Sequence, residues 1–350
     1  MDLSKYYSKG YTGLANLGNT CFLNSCLQVL SHTYELNELF DSDKIAKVIK
    51  PIPDAELINE WNQLRHLMWS KNGIISPNKF VFGVQQLAHM KNKEIFTGWA
   101  QNDMTEFLFF MIDCMHNAIS RKITMRINGD PENGTDKMAI QCYNMLREIY
   151  SNEYSEIMDL YYGIYITNII SMDEKKIHVS KPEHYFILDL EIGTNERQST
   201  NTTIYDCFDL FTSKEELVGE NAWMNEKKRK KVDVKKVAQF WNFPKILVIA
   251  LKRFSADGTQ KLDHLIDFPL ENLDLSKYVI GYNKKSYVYD LFGVCNHIGG
   301  VMGGHYTSFV RSANGIWCHY NDTNVEKVEH LQDIVSPMAY CLFYRKKITS

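Results

Sequence analysis

Gly13-Leu14-Ala15-Asn16-Leu17-Gly18-Asn19-Thr20-Cys21-Phe22-Leu23-Asn24-Ser25-Cys26-Leu27-Gln28-Val29-Leu30 is a turn-rich segment that runs straight into an apolar one. Gly13, Asn16, Gly18 and Asn19 supply the turn character. Phe22, Leu23, Cys26, Leu27 and Leu30 recur at helical spacing, which predicts a helix starting at or near Cys21. A thiol at that place faces unpaired backbone N–H groups and the positive end of the helix dipole, which favours the thiolate. A structural reading stands beside it, because free cysteine is among the most buried residue types. Cys26, five residues on and on the apolar face, reads as core.

Composition bounds what the rest of the chain can be. At 350 residues the chain exceeds a typical single core, so one large multi-lobed domain or two domains are expected. Hydrophobic content of 45% and charged content of 23% describe an ordinary globular protein. A net charge of -3 gives no reason to expect nucleic acid or a membrane surface as partner. The eight cysteines form no C-x-x-C pair and are too sparse for a disulfide scaffold. They point to a reducing, intracellular setting, cytoplasmic and/or nuclear. The first ten residues are polar and charged, so no signal peptide is expected. The longest apolar runs, such as 246–251, are far shorter than the roughly 20 residues a membrane span needs.

Helical patterns dominate the first part of the chain. Leu57, Trp61, Leu64 and Met68 recur over 56–69 after Pro51, Pro53 and Asp54 as start signals. Ser76-Pro77 opens a second candidate with Phe80, Val84 and Leu87 on one face. The strongest pattern covers 102–119, where Phe107, Phe110, Met111, Cys114 and Met115 make an apolar stripe. The 128–134 stretch is a loop by composition, and a helix over 137–150 would close this first part. From about residue 160 the character changes to strands, expected over 161–170, 184–192, 245–254, 287–297, 305–311, 316–320 and 339–345. Asn314-Gly315 reads as a hairpin turn. Helices first and strands afterwards predict an α+β fold. The basic run 227–231 suits a nuclear address or a contact with an anionic surface. The favoured reading is a solvated tip of an exposed hairpin or helix, and the run lacks the aromatic interleaving that base stacking uses.

A nucleophilic cysteine needs a base, and the base needs an orienting partner. Eleven histidines are available, and an isolated histidine is usually a structural residue. His305 has a distinct setting: it follows Gly299-Gly300-Val301-Met302-Gly303-Gly304 and opens an apolar strand. Glycines there let a substrate chain approach the backbone closely. If 305–311 and 316–322 pair as a hairpin, Asn321 or Asp322 returns beside His305. That is the Cys-His-Asn/Asp logic of thiol hydrolases.

These residues carry a resemblance. Gly-Leu-x-Asn-Leu-Gly-Asn-Thr-Cys-Phe-Leu-Asn-Ser at 13–25 and Gly-Gly-His-Tyr-Thr-Ser at 303–308 are similar to the two signature boxes of the ubiquitin-specific protease family of cysteine deubiquitinases. Trp317-x-x-Tyr320-Asn321-Asp322-x-x-Val325 continues the second box. Gln101 to Leu108 resembles the family's helix along the ubiquitin tail, 244–254 its central palm strand, and 339–344 its closing strand. The anchors run from about 13 to 345 in the family's order.

The resemblance implies a papain-like fold of the thumb–palm–fingers type within one catalytic domain. The helical thumb would cover 1–155, β-rich fingers with adjoining palm strands 156–245, and the palm 246–350. It implies a thiol-dependent deubiquitinase that cleaves isopeptide, and possibly peptide, bonds at ubiquitin's C-terminal glycine through a thioester. Cys21 would be the nucleophile and His305 the base. Asn321 occupies the orienter position, with Asp322 beside it as support or alternative, and Asn16 matches the oxyanion donor. Gln101 lies in the tail-binding stretch, Asp103 and Glu106 match acidic positions facing ubiquitin's basic tail, and Gly303, Gly304 and Tyr306 would border the channel for its Gly-Gly terminus. Ubiquitin or ubiquitinated proteins are the implied partners, and a monomer is expected.

One departure concerns metal. Many members bind zinc in the fingers through two C-x-x-C pairs, but 169–174 and 221–226 contain no cysteine here. Tetrahedral zinc needs four N or S ligands, so no metal and no cofactor are expected. Two alternatives remain at this level: a catalytically weak ubiquitin-binding scaffold, and a protease for a ubiquitin-like modifier. All triad members being present speaks against the first. No appended module fits within 350 residues, so partner choice is expected to reside in the catalytic domain or in other proteins.

Overall fold

The computed structural model describes residues 2–192, 202–227, 229–255, 257–301 and 303–348. Lys228 of the basic run and Met302 of the glycine-rich stretch therefore lie outside the described residues.

The helix Cys21–Ser31 sits at the centre, and all of its residues are buried. A helix buried on every side needs packing on its apolar face and hydrogen-bond partners for its buried polar residues Asn24, Ser25, Gln28 and Ser31. Met104–Ile119 lies against one face, and the strands Val288–Gly300 and Gly303–Arg311 lie against another. Phe22, Leu23, Cys26 and Leu27 join Phe107, Leu108 and Met111 of the flanking helix and Cys295, Val310, Cys341 and Phe343 of the strands in one core. Fully burying a side chain such as Leu27 contributes about 1.5–3 kcal/mol, so this seam is what locks the helical part to the strands.

The other helices follow local start signals. Pro53–Ser70 carries proline at its first turn with Asp54 and Glu56 against the dipole. The helix after Ser76-Pro77 is Asn78–Met90. Met104–Ile119 begins where the Asp103 carboxylate accepts the N–H groups of Thr105 and Glu106. The helix expected over 137–150 starts earlier, at Gly134, because Asn133 and Asp136 form a reciprocal capping box.

Two sheets follow. The larger, eight-stranded sheet runs Asn324–Lys327, Trp317–Asn321, Gly303–Arg311, Val288–Gly300, Ala339–Lys346, Ile246–Lys252 and Ile187–Glu191, with Leu273–Asp274 added beside Val288–Gly300. The smaller, four-stranded sheet runs Ile177–Tyr185, Gly163–Ser171, Val234–Asn242 and Glu215–Leu217. The single strand expected over 184–192 divides: its start belongs to the small sheet and its remainder to the large one. The strand expected from 161 begins at Gly163, because Glu156–Tyr161 is helical. Gly303–Arg311 and Trp317–Asn321 pair antiparallel, with Ser308 opposite Tyr320 and Arg311 opposite Trp317. Gly315 in the connecting loop has φ +82°. At the open end of that pair, the backbone turns back through Asp322, and Gly13 crosses it. A Cβ on Gly13 would lie 2.3 Å from the Thr323 carbonyl oxygen, so only glycine allows this crossing.

Among the described residues, no helix is long and apolar enough to cross a membrane. Nor do three or more His, Cys, Asp or Glu side chains there gather in a way that could hold a metal ion.

Two buried histidines give the fold an acid-sensitive stability. Burial pushes His32 and His297 down to about 4 from the ordinary 6.5. Below pH 6.5 the unfolded chain then binds more protons than the native one, so stability present above that pH is lost progressively down to about 4. Each site accounts for at most about 3 kcal/mol. Urea midpoints are expected to fall from pH 7 to pH 5, and a midpoint that stays constant over that range contradicts the assignment.

Candidate active site

Cys21 is the first residue of its helix, and Thr20 before it makes no side-chain cap hydrogen bond. Burial raises the thiol above its ordinary value, and the Asp322 charge adds to this, whereas the backbone N–H groups of Tyr306, Phe22 and Cys21 itself pull it down. The helix terminus therefore tempers the thiol without ionising it.

His305 lies on Gly303–Arg311, opposite Ile298 of the neighbouring strand. Its Nε2 is 2.7 Å from Asn321 Oδ1. An amide oxygen only accepts, so Nε2 carries the proton and Nδ1 is left as the basic nitrogen. No hydrogen bond joins Cys21 to His305 among the described residues; the link between their two elements is the backbone N–H of Tyr306, next to His305, which bonds to the Cys21 thiol.

The two orienter candidates part company here. Asn321 faces His305. Asp322, in a left-handed conformation with φ 51°, turns its carboxylate the other way. Asp322 Oδ2 accepts from Asn16 Nδ2 at 3.0 Å, and Oδ1 accepts from Asn24 Nδ2 at 2.8 Å. Asn16 Oδ1 in turn accepts from the N–H groups of Gly18 at 3.0 Å and Thr20 at 3.1 Å. The Asn16 amide is thus fixed at both ends, with one Nδ2 proton left over beside the start of the Cys21 helix.

The glycine-rich side is equally constrained. Gly304 N–H donates to Gln101 Oε1 at 2.9 Å, and a Cβ on Gly304 would lie 2.4 Å from His297 Nε2 and 2.3 Å from the Ile298 carbonyl oxygen. Tyr306, opposite His297 in the strand register, is buried. Asp103 is occupied: besides capping its helix, it accepts from Tyr340 Oη at 2.6 Å and Tyr306 Oη at 3.3 Å. It ties the helical part to two strands of the sheet. Glu106 beside it is exposed, and partial burial followed by the Asp103 charge raises its carboxyl. Of the two acids expected to face a basic tail, Glu106 is the one with its oxygens available.

Several groups here had no marker in the sequence. His297 packs against Tyr306 with ring centroids 4.8 Å apart and against Phe254 at 5.4 Å. Lys261 donates to the carbonyls of His297 at 2.9 Å and Gly299 at 3.0 Å, which anchors the glycine-rich turn. The strand register would have exposed His297, since it is the cross-strand partner of Tyr306. Phe96 holds the loop before Met104 by stacking on Phe22 at 6.0 Å and meeting Phe107 edge-on at 5.7 Å.

The family model described as "Ubiquitin carboxyl-terminal hydrolase" matches residues 12–344. Ubiquitin carboxyl-terminal hydrolase 2 of Homo sapiens is 34% identical over 348 residues, covering 96% of this chain and 55% of the relative. Ubiquitin carboxyl-terminal hydrolase 21 of Homo sapiens is 32% identical over 360 residues, covering 96% of this chain and 61% of the relative. The chain thus spans little more than half the length of these relatives. Among solved structures, the SAGA Ubp8/Sgf11/Sus1/Sgf73 DUB module bound to ubiquitin aldehyde shares the fold, with a TM-score of 0.73 at 23% identity over 100% of this chain and 72% of that one.

Proposed function

The chain belongs to the ubiquitin carboxyl-terminal hydrolase family, with the papain-like α+β fold of its ubiquitin-specific proteases, and from that premise we propose that it is a thiol-dependent deubiquitinase. Its substrate is an amide bond, isopeptide or peptide, at the C-terminal glycine of ubiquitin. The observation that carries the reading is the His305–Asn321 pair at 2.7 Å, on the strand whose Tyr306 N–H bonds to the Cys21 thiol, with the Asn16 amide tied to Thr20 N–H just before that thiol.

The steps follow from the protonation states. His305 Nδ1 takes the Cys21 proton as Sγ adds to the glycine carbonyl carbon. The oxyanion is met by the remaining Asn16 Nδ2 proton and the Cys21 backbone N–H. Collapse breaks the C–N bond, and His305 returns its proton to the departing amine. Water then loses a proton to His305 and attacks the thioester. Collapse breaks the C–S bond, His305 returns that proton to Sγ, and the glycine carboxyl leaves as a carboxylate after giving its own proton to solvent. Gly303, Gly304 and Tyr306 narrow the path to Cys21 so that only an unbranched tail fits. Gln101 fixes one wall, and Glu106, backed by the Asp103 charge, faces the basic residues preceding that tail.

The helical thumb is assigned to 1–155, the fingers with adjoining palm strands to 156–245 and the palm to 246–350. All eight cysteines are free thiols, which supports an intracellular, reducing compartment. A monomer acting on ubiquitinated proteins, with no nucleic acid or membrane partner, fits the near-neutral charge.

Ubiquitin bearing a C-terminal electrophile tests the assignment. The expected product is a one-to-one covalent adduct mapped by mass spectrometry to Cys21. No adduct with ubiquitin, or an adduct only with a ubiquitin-like modifier, overturns it.

A further inference from the structure

Asn24 lies one helical turn beyond Cys21, with its backbone N–H on the Thr20 carbonyl at 2.9 Å. Its side chain is 2% exposed. The Nδ2 group donates to Asp322 Oδ1 at 2.8 Å and reaches the carbonyls of Leu14 and Ala15, each at 3.3 Å. Its Oδ1 is buried without a partner. A buried amide with an idle acceptor carries a cost that an apolar residue of similar shape would avoid. What keeps an amide worthwhile here is its donor side.

That donor side points at the group that fixes Asn16. Asp322 accepts from Asn24 on one carboxylate oxygen and from Asn16 on the other. Its main-chain carbonyl accepts from Leu14 N–H at 2.8 Å, two residues before Asn16. The loop that carries Asn16, the turn that carries Asp322 and the first turn of the Cys21 helix are therefore joined through one amide. There is an electrostatic side to this as well. A carboxylate close to Cys21 opposes a developing negative charge, and two amide donors, one on each oxygen, hold that charge in a fixed direction.

We propose that Asn24 is a positioning residue for the oxyanion site, holding Asp322 so that Asp322 holds Asn16. The inference rests on the hydrolase reading above. It adds to the Asn16 assignment a residue on the nucleophile's own helix, so that nucleophile and oxyanion donor keep one fixed separation. If the link were absent, Asp322 could rotate away with Asn16 while Cys21 stayed in place.

The test is a double-mutant cycle with a ubiquitin C-terminal fluorogenic amide. Asn24→Ala is expected to lower kcat by about 10- to 100-fold with KM within about twofold, and Asn16→Ala by about 10²–10³. The double variant should fall no further than Asn16→Ala, because both remove the same interaction. Ubiquitin affinity, measured in a Cys21→Ala background, should not change. The thermal midpoints of Asn24→Ala and of the isosteric Asn24→Asp are measured beside the kinetics, so that a folding defect is told apart from a lost hydrogen bond. Asn24→Asp should lose activity at neutral pH and regain part of it relative to wild type on acidification, when a proton shared with Asp322 restores the hydrogen bond. Three results overturn the proposal: Asn24→Ala within twofold of wild type, multiplicative losses in the double variant, or a loss that resides in ubiquitin affinity. A wild type that fails to hydrolyse the amide defeats the hydrolase reading itself, whereas an active wild type with an indifferent Asn24→Ala defeats only this inference.

Discussion

Cys21→Ala is expected to abolish hydrolysis of ubiquitin C-terminal amides, with a loss of about 10⁴-fold or more, while ubiquitin binding persists. The magnitude follows from losing the nucleophile of a triad, after which only binding and oxyanion stabilisation remain. Persistence of binding follows from position. Cys21 is 4% exposed, so its side chain offers almost no surface to a protein substrate. His305→Ala should cost a comparable factor, and the Cys21→Ala, His305→Ala double variant should be no worse than either alone, since the two act as one unit. Steady-state hydrolysis together with titration calorimetry measures both halves. Retention of more than about one per cent of wild-type turnover by Cys21→Ala would place the nucleophile elsewhere.

The second large effect separates the neighbours Asn321 and Asp322. Asn321 acts on His305, whose Nε2 it holds at 2.7 Å, whereas Asp322 acts on Asn16 and Asn24. With Asn16 as the proposed oxyanion donor, removing the Asp322 carboxylate frees its amide, so Asp322→Ala should lower kcat by about 10²–10³. In the proposed orienter role, neutral Asn321 fixes tautomer and ring angle but adds no full charge to stabilise an imidazolium. Asn321→Ala should therefore cost less, on the order of 10- to 100-fold. The pH profile of kcat/KM tells the two roles apart, because it reports the ionisations of the free enzyme. Asn321→Ala should displace the limb set by His305. Asp322→Ala should scale the curve down and leave that limb in place, moving only the Cys21 limb downward because the Asp322 charge no longer raises the thiol. A His305 limb displaced in Asp322→Ala and unmoved in Asn321→Ala would exchange the two roles.

Much of the proposed site is legible in local sequence. Cys21 stands where turn residues meet an apolar run, and that local pattern alone predicts a helix start. His305 follows glycines and opens a strand, and Asn321 ends the next one. Each of these is a short-range signal. The strands of the large sheet and the helix expected over 102–119 were equally plain, because burial on one or both faces imposes a period on the sequence, whereas Val234–Asn242 of the small sheet was not expected. The strand Ile177–Tyr185 was missed at its start because it lies at the edge of the small sheet and alternates between exposed and half-buried residues, with no apolar face to read. The Asn133–Asp136 capping box was present in the sequence and places the helix start earlier than its apolar stripe suggests.

The sequence by itself determined the helices-then-strands order and the family membership, and it singled out the candidate thiol and base, since these signals reside in contiguous residues. Only the tertiary structure decided how neighbouring groups divide the work. Asn321 and Asp322 are adjacent in the chain, yet a left-handed backbone at Asp322 sends their side chains to different partners. Asp103 is likewise occupied by two tyrosine hydroxyls that come from strands more than two hundred residues downstream. In both cases the outcome depends on a side-chain direction set by long-range packing, and no local pattern records that.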